Sequence, residues 1–403
     1  MRDRRAFSDL PAIAGGQPIR DKRLPYGRQL IDDADIASVV EVLRGDYLTT
    51  GPYVAAFEQR LADYVGARYA VAYANGTAAL HGAAFAAGFQ PGDEAITTPM
   101  TFAATANCVL YMGARPVFAD IDERTYNISV DAVAAAITSN TRAILPVDFT
   151  GQPAELHRLR DLADTHSLVL IEDAAHALGA SFRGRKVGTW SHMTVFSLHP
   201  VKPITTGEGG VVVTDDAAFY EKLRDFRSHG IVRDVHRMVN QDEPWFYEMQ
   251  QLGYNYRLTD IQAALGTSQI SKIDAFLERR RGIAASYNQA FATLAGVETP
   301  FQHPDSLSGW HIYVLKLSAA QLTADRRMVF AALQAENIGV NVHYIPVHYH
   351  PYYQTIGYKR GICPVAEELY EHILTLPLYP GMTDADVDDV IAAAVRVIQY
   401  YRK

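Results

Sequence analysis

Cysteine is nearly absent from this chain of 403 residues, which has only Cys108 and Cys363. Two thiols cannot form the disulfide framework of a small secreted domain, and their spacing matches no zinc motif. Basic residues are also in the minority, 37 Lys and Arg against 45 Asp and Glu, for a net charge of −8. That balance argues against nucleic acid as the main partner, because phosphate binding needs a basic excess or stripe. No run of about 18 apolar residues exists, so no transmembrane helix is expected. The opening "MRDRRAFSDLPAIAGG" lacks the apolar core of a signal peptide. A cytoplasmic protein with inert, reduced thiols is expected.

Composition is otherwise that of a folded protein, 48% hydrophobic and 20% charged, so disorder is not the default. Residues 1–24 read as a poorly ordered tail. From "DDADIASVVEVLRG" onward the apolar spacing is helical, with Asp at the start and Gly45 at the end. Short apolar runs then alternate with helical stretches: "YAVAY" before "GTAALHGAAFAAGF", "EAITT" before "TFAATANCVLYMG", "LVLIED" after "AELHRLRDLADTHS". Such alternation predicts an α/β fold whose mostly parallel sheet carries helices on both faces. A single long helix is expected from "LTDIQAALG" to "NQAFATL". The reading is a large domain over 25–274 and a smaller α+β domain over 275–403.

Open parallel sheets hold ligands at the carboxyl ends of their strands, and three groups fall there. Asn75-Gly76-Thr77 follows a strand and opens a helix, where amides and helix dipole favour a phosphate; a plain Asn75 cap is the alternative. Glu172 and Asp173 close "LVLIED", with His176 just beyond; a carboxylate there can also merely cap the next helix. In "HPVKPITTGEGG", Lys202 lies between Pro200 and Pro203 and ahead of Gly207, Gly209 and Gly210. The prolines restrain the backbone around one amine, and the glycines allow close approach to whatever it holds. Burial would lower that lysine's proton affinity and make it a usable nucleophile, although a structural ion pair is the plainer reading.

Together the three groups fit pyridoxal phosphate. That cofactor needs a lysine, a carboxylate for its pyridine nitrogen and a cradle for its phosphate. Lys202, Asp173, and Gly76 with Thr77 and Ser197 can supply them.

From "LPYGRQLI" to its end the chain resembles the DegT-type nucleotide-sugar aminotransferases. The resemblance rests on "LTTGPYVAAFE", "NGTAAL", "TTPMTFAATAN", "IEDAAHALGA", "FSLHPVKPITTGEGGVVVT", "GYNYRLTDIQAALG" and "LPLYPGMT". It implies the fold-type-I architecture of pyridoxal-phosphate-dependent transferases. Lys202 would then carry the cofactor and shuttle the proton. Asp173 would pair with the pyridine nitrogen, and His176 would sit near the 3-hydroxyl. Phe102 would lie against the ring face, with a core role as its bland alternative. Asn255 would reach the phosphate held by a neighbouring subunit, which implies a homodimer with composite sites. Keeping Lys202, where dehydratase members carry His, favours transamination with glutamate as donor.

"HPVKPITT" and "VNVHYIPVHYHPYYQ" are most similar to members that act in pseudaminic acid biosynthesis. This implies amination at C4 of a UDP-linked 4-keto-6-deoxy-N-acetylhexosamine. Tyr26, the loop residues Asp46, Tyr47, Leu48 and Thr49, and Tyr344 and His348 would meet the sugar nucleotide. Segment 343–353 carries three His and four Tyr but no carboxylate or Cys, so a metal site is not expected. Packing is the alternative for those rings. Asp148 stands where many members have His, a departure that bears on the substrate. The rival readings are another nucleotide keto-sugar, or a regulator or sugar-binding module without turnover.

Overall fold

The computed structural model describes residues 10–240 and 243–403. Two amphipathic helices, α1 (Asp33–Arg44) and α2 (Pro52–Val65), precede the sheet. Asp32 caps α1 in a reciprocal box with Asp35, and Gly45 follows its last turn. Alternation then sets in: β1 (Tyr69–Tyr73), α3 (Gly76–Ala86), β2 (Glu94–Thr97), α4 (Ala104–Tyr111), β3 (Arg115–Phe118) and α5 (Val130–Ala136). It continues through β4 (Thr141–Leu145), α6 (Leu156–Thr165) and β5 (Val169–Asp173). After a small hairpin, β6 (Ser181–Phe182) and β7 (Arg185–Lys186), come β8 (Met193–Ser197), β9 (Gly210–Thr214) and α7 (Ala217–Arg227).

Seven of these strands form one sheet in the order β1-β9-β8-β5-β4-β2-β3. Neighbours pair parallel except at β9, which runs antiparallel to both β1 and β8. Helices cover both faces, so the strands are apolar on both sides, as the buried "VVV" of β9 shows. One face packs Phe57, Leu61, Leu159 and Ile270; the other packs Leu80, Val109 and Leu223. Each such side chain taken fully from water contributes about 1.5–3 kcal/mol. The α/β class expected from the strand–helix alternation is borne out.

The long helix expected near residue 260 is two helices, α8 (Asp260–Ile270) and α9 (Ile273–Phe291). They are parted at Ser271–Lys272, where the Lys272 ammonium meets both Asp32 and Asp35 at 2.7 Å and ties the break to α1. Beyond α9 a three-stranded antiparallel sheet forms from 297–298, Tyr313–Leu317 and Ile373–Leu376. Helices Arg326–Ala335 and Asp384–Tyr401 back it, and its core holds Tyr287, Leu315, Leu374 and Val397.

Residues 10–24 are no loose tail. Leu24 is buried in that second core, and the Glu336 carboxylate accepts the amides of Ala12 and Ile19, each at 2.8 Å. Arg20 binds Asp386 at 2.8 Å. Residues 1–9 of the expected tail lie outside the described residues. Among the described residues no helix is long and apolar enough to cross a membrane.

Candidate active site

Three loops leave the carboxyl ends of β1, β5 and β8 side by side. After β1, Asn75 caps α3 by accepting the Ala78 amide at 2.9 Å, so α3 opens toward the loops with its first-turn amides. Strand β9 begins hard against this turn. A Cβ on Gly210 would stand 2.5 Å from the Asn75 carbonyl oxygen and 2.7 Å from the Gly76 nitrogen. Gly76 in turn faces Ser197, where a Cβ would meet the serine side chain at 3.2 Å. The glycines after Lys202 therefore bring the lysine loop against the Asn75 turn. Gly207 adds a left-handed turn at φ 79°. Between its two prolines Lys202 donates its amide to the His199 carbonyl at 2.9 Å, which closes a tight turn.

Asp173 ends β5, is 5% exposed, and is held on both oxygens. Thr105 Oγ1 donates to Oδ2 at 2.7 Å and the Ala175 amide to Oδ1 at 3.1 Å. Burial still pushes its pKa up, because these donors and Lys202 only partly replace water. Lys202 faces the same hollow, and loss of hydration pulls its pKa down to about 8, against a small opposing pull from Asp173. His176 is buried, with Nε2 and the Tyr344 hydroxyl 2.9 Å apart, and its ring lies 4.3 Å from that of His311. Its Nδ1 has no partner. Desolvation keeps the ring neutral by lowering its pKa well below the ordinary value.

These groups line one cavity of about 910 Å³. Lys202, Asp173, His176, Ser197, Gly76 and Thr77 all line it. Tyr26, Phe102 and Tyr344 are further along its wall. Phe102 is 63% exposed, so it is not the core residue of its bland alternative.

Other expected site residues lie elsewhere. Asp46, Tyr47, Leu48 and Thr49 are exposed outside the cavity, on a loop fixed to α8 by the Asp260 amide, which donates to Leu48 O at 3.0 Å. Asn255 is exposed too, while its neighbour Tyr256 lines the cavity. His348 is fully buried away from it, its Nε2 bound to Glu367 Oε1 at 2.9 Å and its ring beside Phe118. That carboxylate, nineteen residues on, was invisible to a reading of 343–353 alone; among the described residues no cluster of three potential metal ligands forms.

Asp148 is also not a cavity residue. It is fully buried beneath Asp173, its amide donating to the Asp173 carbonyl at 3.1 Å. Burial raises the pKa of its carboxyl and of Glu172; Glu172 pushes Asp148 further up while the hydrogen bond from Asp148 holds Glu172 down, so the proton of the pair sits on Asp148. The departure at this position therefore sits in the support of Asp173. Sequence reasoning missed Thr105, Tyr256 and His311, all lining the cavity; His343, within the segment 343–353 it singled out, lines it too. Alternation of an extended segment, which sends Asn255 and Tyr256 to opposite sides, was a usable signal. For His311, brought in from beyond residue 300, there was none.

The model of the DegT/DnrJ/EryC1/StrS aminotransferase family matches residues 29–395. The chain belongs to this family. It is 42% identical to the spore coat polysaccharide biosynthesis protein SpsC of Bacillus subtilis, across 94% of this chain and 98% of SpsC. Among solved structures it is similar to Helicobacter pylori PseC, an aminotransferase of pseudaminic acid biosynthesis. They share 31% identity over 94% of this chain and all of PseC, with a TM-score of 0.88. Spr1654 of Streptococcus pneumoniae in its PLP form matches with 28% identity, 94% and 99% coverage and a TM-score of 0.87.

Aminotransferases of this family use pyridoxal phosphate, and the cavity fits it. A buried carboxylate short of a cation suits a protonated pyridine nitrogen. The Gly76–Ser197 approach at a helix N-terminus suits a phosphate, and the cavity-facing amine supplies the covalent anchor.

Proposed function

We propose that this aminotransferase moves an amino group from an amino-acid donor, glutamate, to C4 of a UDP-linked 4-keto-6-deoxy-N-acetylhexosamine on the way to pseudaminic acid. The likeness to PseC over that enzyme's entire length carries the reading. The cavity volume, about 910 Å³, leaves room for a sugar nucleotide beside the cofactor.

Bound in the cavity, pyridoxal phosphate supplies an electron sink for the negative charge that develops at the reacting carbon. The chain's residues do the rest. Asp173, steadied by Thr105 and the Ala175 amide, keeps a proton on the pyridine nitrogen. Lys202, with its pKa drawn down to about 8, takes a proton from the donor's carbon and returns one to the sugar carbon. His176, held by Tyr344, would serve the cofactor's 3-hydroxyl. Gly76, Thr77 and Ser197 would hold the phosphate. Tyr26 and Tyr344 offer aromatic faces and hydroxyls to the sugar nucleotide.

The working unit is a homodimer. Exposed Asn255 and the exposed apolar surface of Trp245, Met249, Leu252 and Tyr111 support a partner that covers this face. Asp46 to Thr49 then meet substrate only once that partner is present. Buried free thiols at Cys108 and Cys363 suit a cytoplasmic location.

A second reading has support in SpsC, the more identical relative: another nucleotide keto-sugar destined for a surface polysaccharide. One half-reaction separates the two. The enzyme is charged with glutamate, the donor removed, and UDP- and dTDP-linked 4-keto sugars added singly while the visible band of the cofactor is followed. Return of the band with the UDP-linked N-acetylhexosamine alone supports the first reading. Return with a different sugar alone moves the enzyme to another pathway.

A further inference from the structure

Arg280, on α9, is the largest fully enclosed side chain of the described residues, at 1% exposed. Among the described residues no carboxylate pairs with it. Its guanidinium instead donates to four backbone carbonyls. Nη1 reaches Trp310 O at 3.3 Å, His311 O at 3.0 Å and Leu378 O at 3.0 Å, and Nη2 reaches Val201 O at 3.3 Å. Nε has no partner. A buried cation with only dipoles around it is costly, and a rigid fork is the one side chain that can join so many acceptors.

The location gives that cost a purpose. Val201 O belongs to the peptide bond that begins Lys202. The other three carbonyls come from segments that carry His311 and lead out of strand Ile373–Leu376. One guanidinium thus locks the lysine's own peptide to two segments more than a hundred residues away.

Its charge has no carboxylate partner, and its contact with Val201 O sets that charge one peptide from Lys202. The titratable groups that line the cavity with Lys202 are Asp173 at the end of β5, Glu208 on the glycine loop, the exposed ring of His199, and the buried rings of His176, His311 and His343. Tyr26, Tyr111, Tyr256 and Tyr344 add phenol hydroxyls. Burial holds the three buried imidazoles neutral, with His343 down to about 4. Asp173 favours a proton on Lys202, and Arg280 opposes it.

We propose that Arg280 is a positioning residue for Lys202, one that fixes the peptide ahead of the lysine and holds an unpaired positive charge against that peptide. This rests on Lys202 being the cofactor's anchor. The test uses the loaded enzyme and reads the pH midpoint at which the cofactor's visible band changes, in wild type, Arg280→Lys, Arg280→Gln and Arg280→Met. Both neutral variants are expected to move the midpoint up by about half a pH unit or more. Arg280→Lys, which keeps the charge but cannot span four carbonyls, should hold the midpoint and lose about tenfold in kcat. A folded neutral variant with an unmoved midpoint overturns the inference. So does Arg280→Lys shifting as far as Arg280→Gln. If neither neutral variant folds, Arg280→Lys decides alone: held midpoint with reduced kcat supports the inference, and any other pair of results overturns it. Wild-type protein that forms no band with pyridoxal phosphate refutes instead the assignment of Lys202.

Discussion

His176 and Tyr344 meet at 2.9 Å, a hydrogen bond between the loop after β5 and a segment 168 residues later. It joins the large sheet's ligand edge to the segment after residue 340 and fixes a ring that lines the cavity. Tyr344→Phe keeps the ring and removes the hydroxyl. Leaving His176 Nε2 unpaired costs about 1–2 kcal/mol, so kcat should fall about five- to thirtyfold with the fold intact. Steady-state kinetics alongside a melting curve check this; unchanged kcat would remove Tyr344 from the machinery.

Asp173 is strained for function. Burial raises its pKa, so without cofactor the folded protein binds that proton more tightly than the unfolded chain does. Its contribution to stability is therefore fullest in acid and declines as pH rises past the ordinary carboxylate range. Asp173→Asn should melt at a higher temperature than wild type in cofactor-free protein at pH 8. Its turnover should fall about a hundredfold or more. A lower melting temperature would contradict this account of the site's electrostatics.

Gly210 has no room for a methyl group. With Asn75 O only 2.5 Å from the Cβ position, Gly210→Ala must push β9 off the phosphate turn. A loss of about 3 kcal/mol is expected from urea unfolding, together with weaker pyridoxal phosphate binding. Full retention of both would mean that the turn yields easily.

His348→Ala separates packing from substrate contact. The ring is fully buried on Glu367, so its removal should cost about 2–4 kcal/mol while leaving KM for the sugar nucleotide unchanged. A raised KM with unchanged stability would return His348 to the substrate.

What was legible in the sequence follows from range. Strand ends, turns and caps are local, so the αβ alternation, the Asn75 turn, Asp173 and Lys202 could all be read from short stretches. Residues 10–24 could not, because what orders them is Glu336, 324 residues from Ala12. The same distance hid His311 and the Glu367 partner of His348. Asp148 was noticed for its identity but could not be placed, since burial beneath Asp173 is a property of packing. The split between α8 and α9 depends on Lys272 finding two aspartates on α1, again a long-range pairing.

The account stands on Lys202. Its amine, with a pKa pulled from 10.5 to about 8, should react with pyridoxal phosphate near neutral pH, unlike an ordinary surface lysine. The direct measurement is borohydride reduction of the loaded enzyme at pH 7.5, proteolysis, and mass spectrometry of the modified peptide. One equivalent of cofactor fixed to Lys202, and none fixed by Lys202→Ala, is the result expected. Cofactor fixed to a different lysine, or none fixed in the wild-type protein, would contradict it.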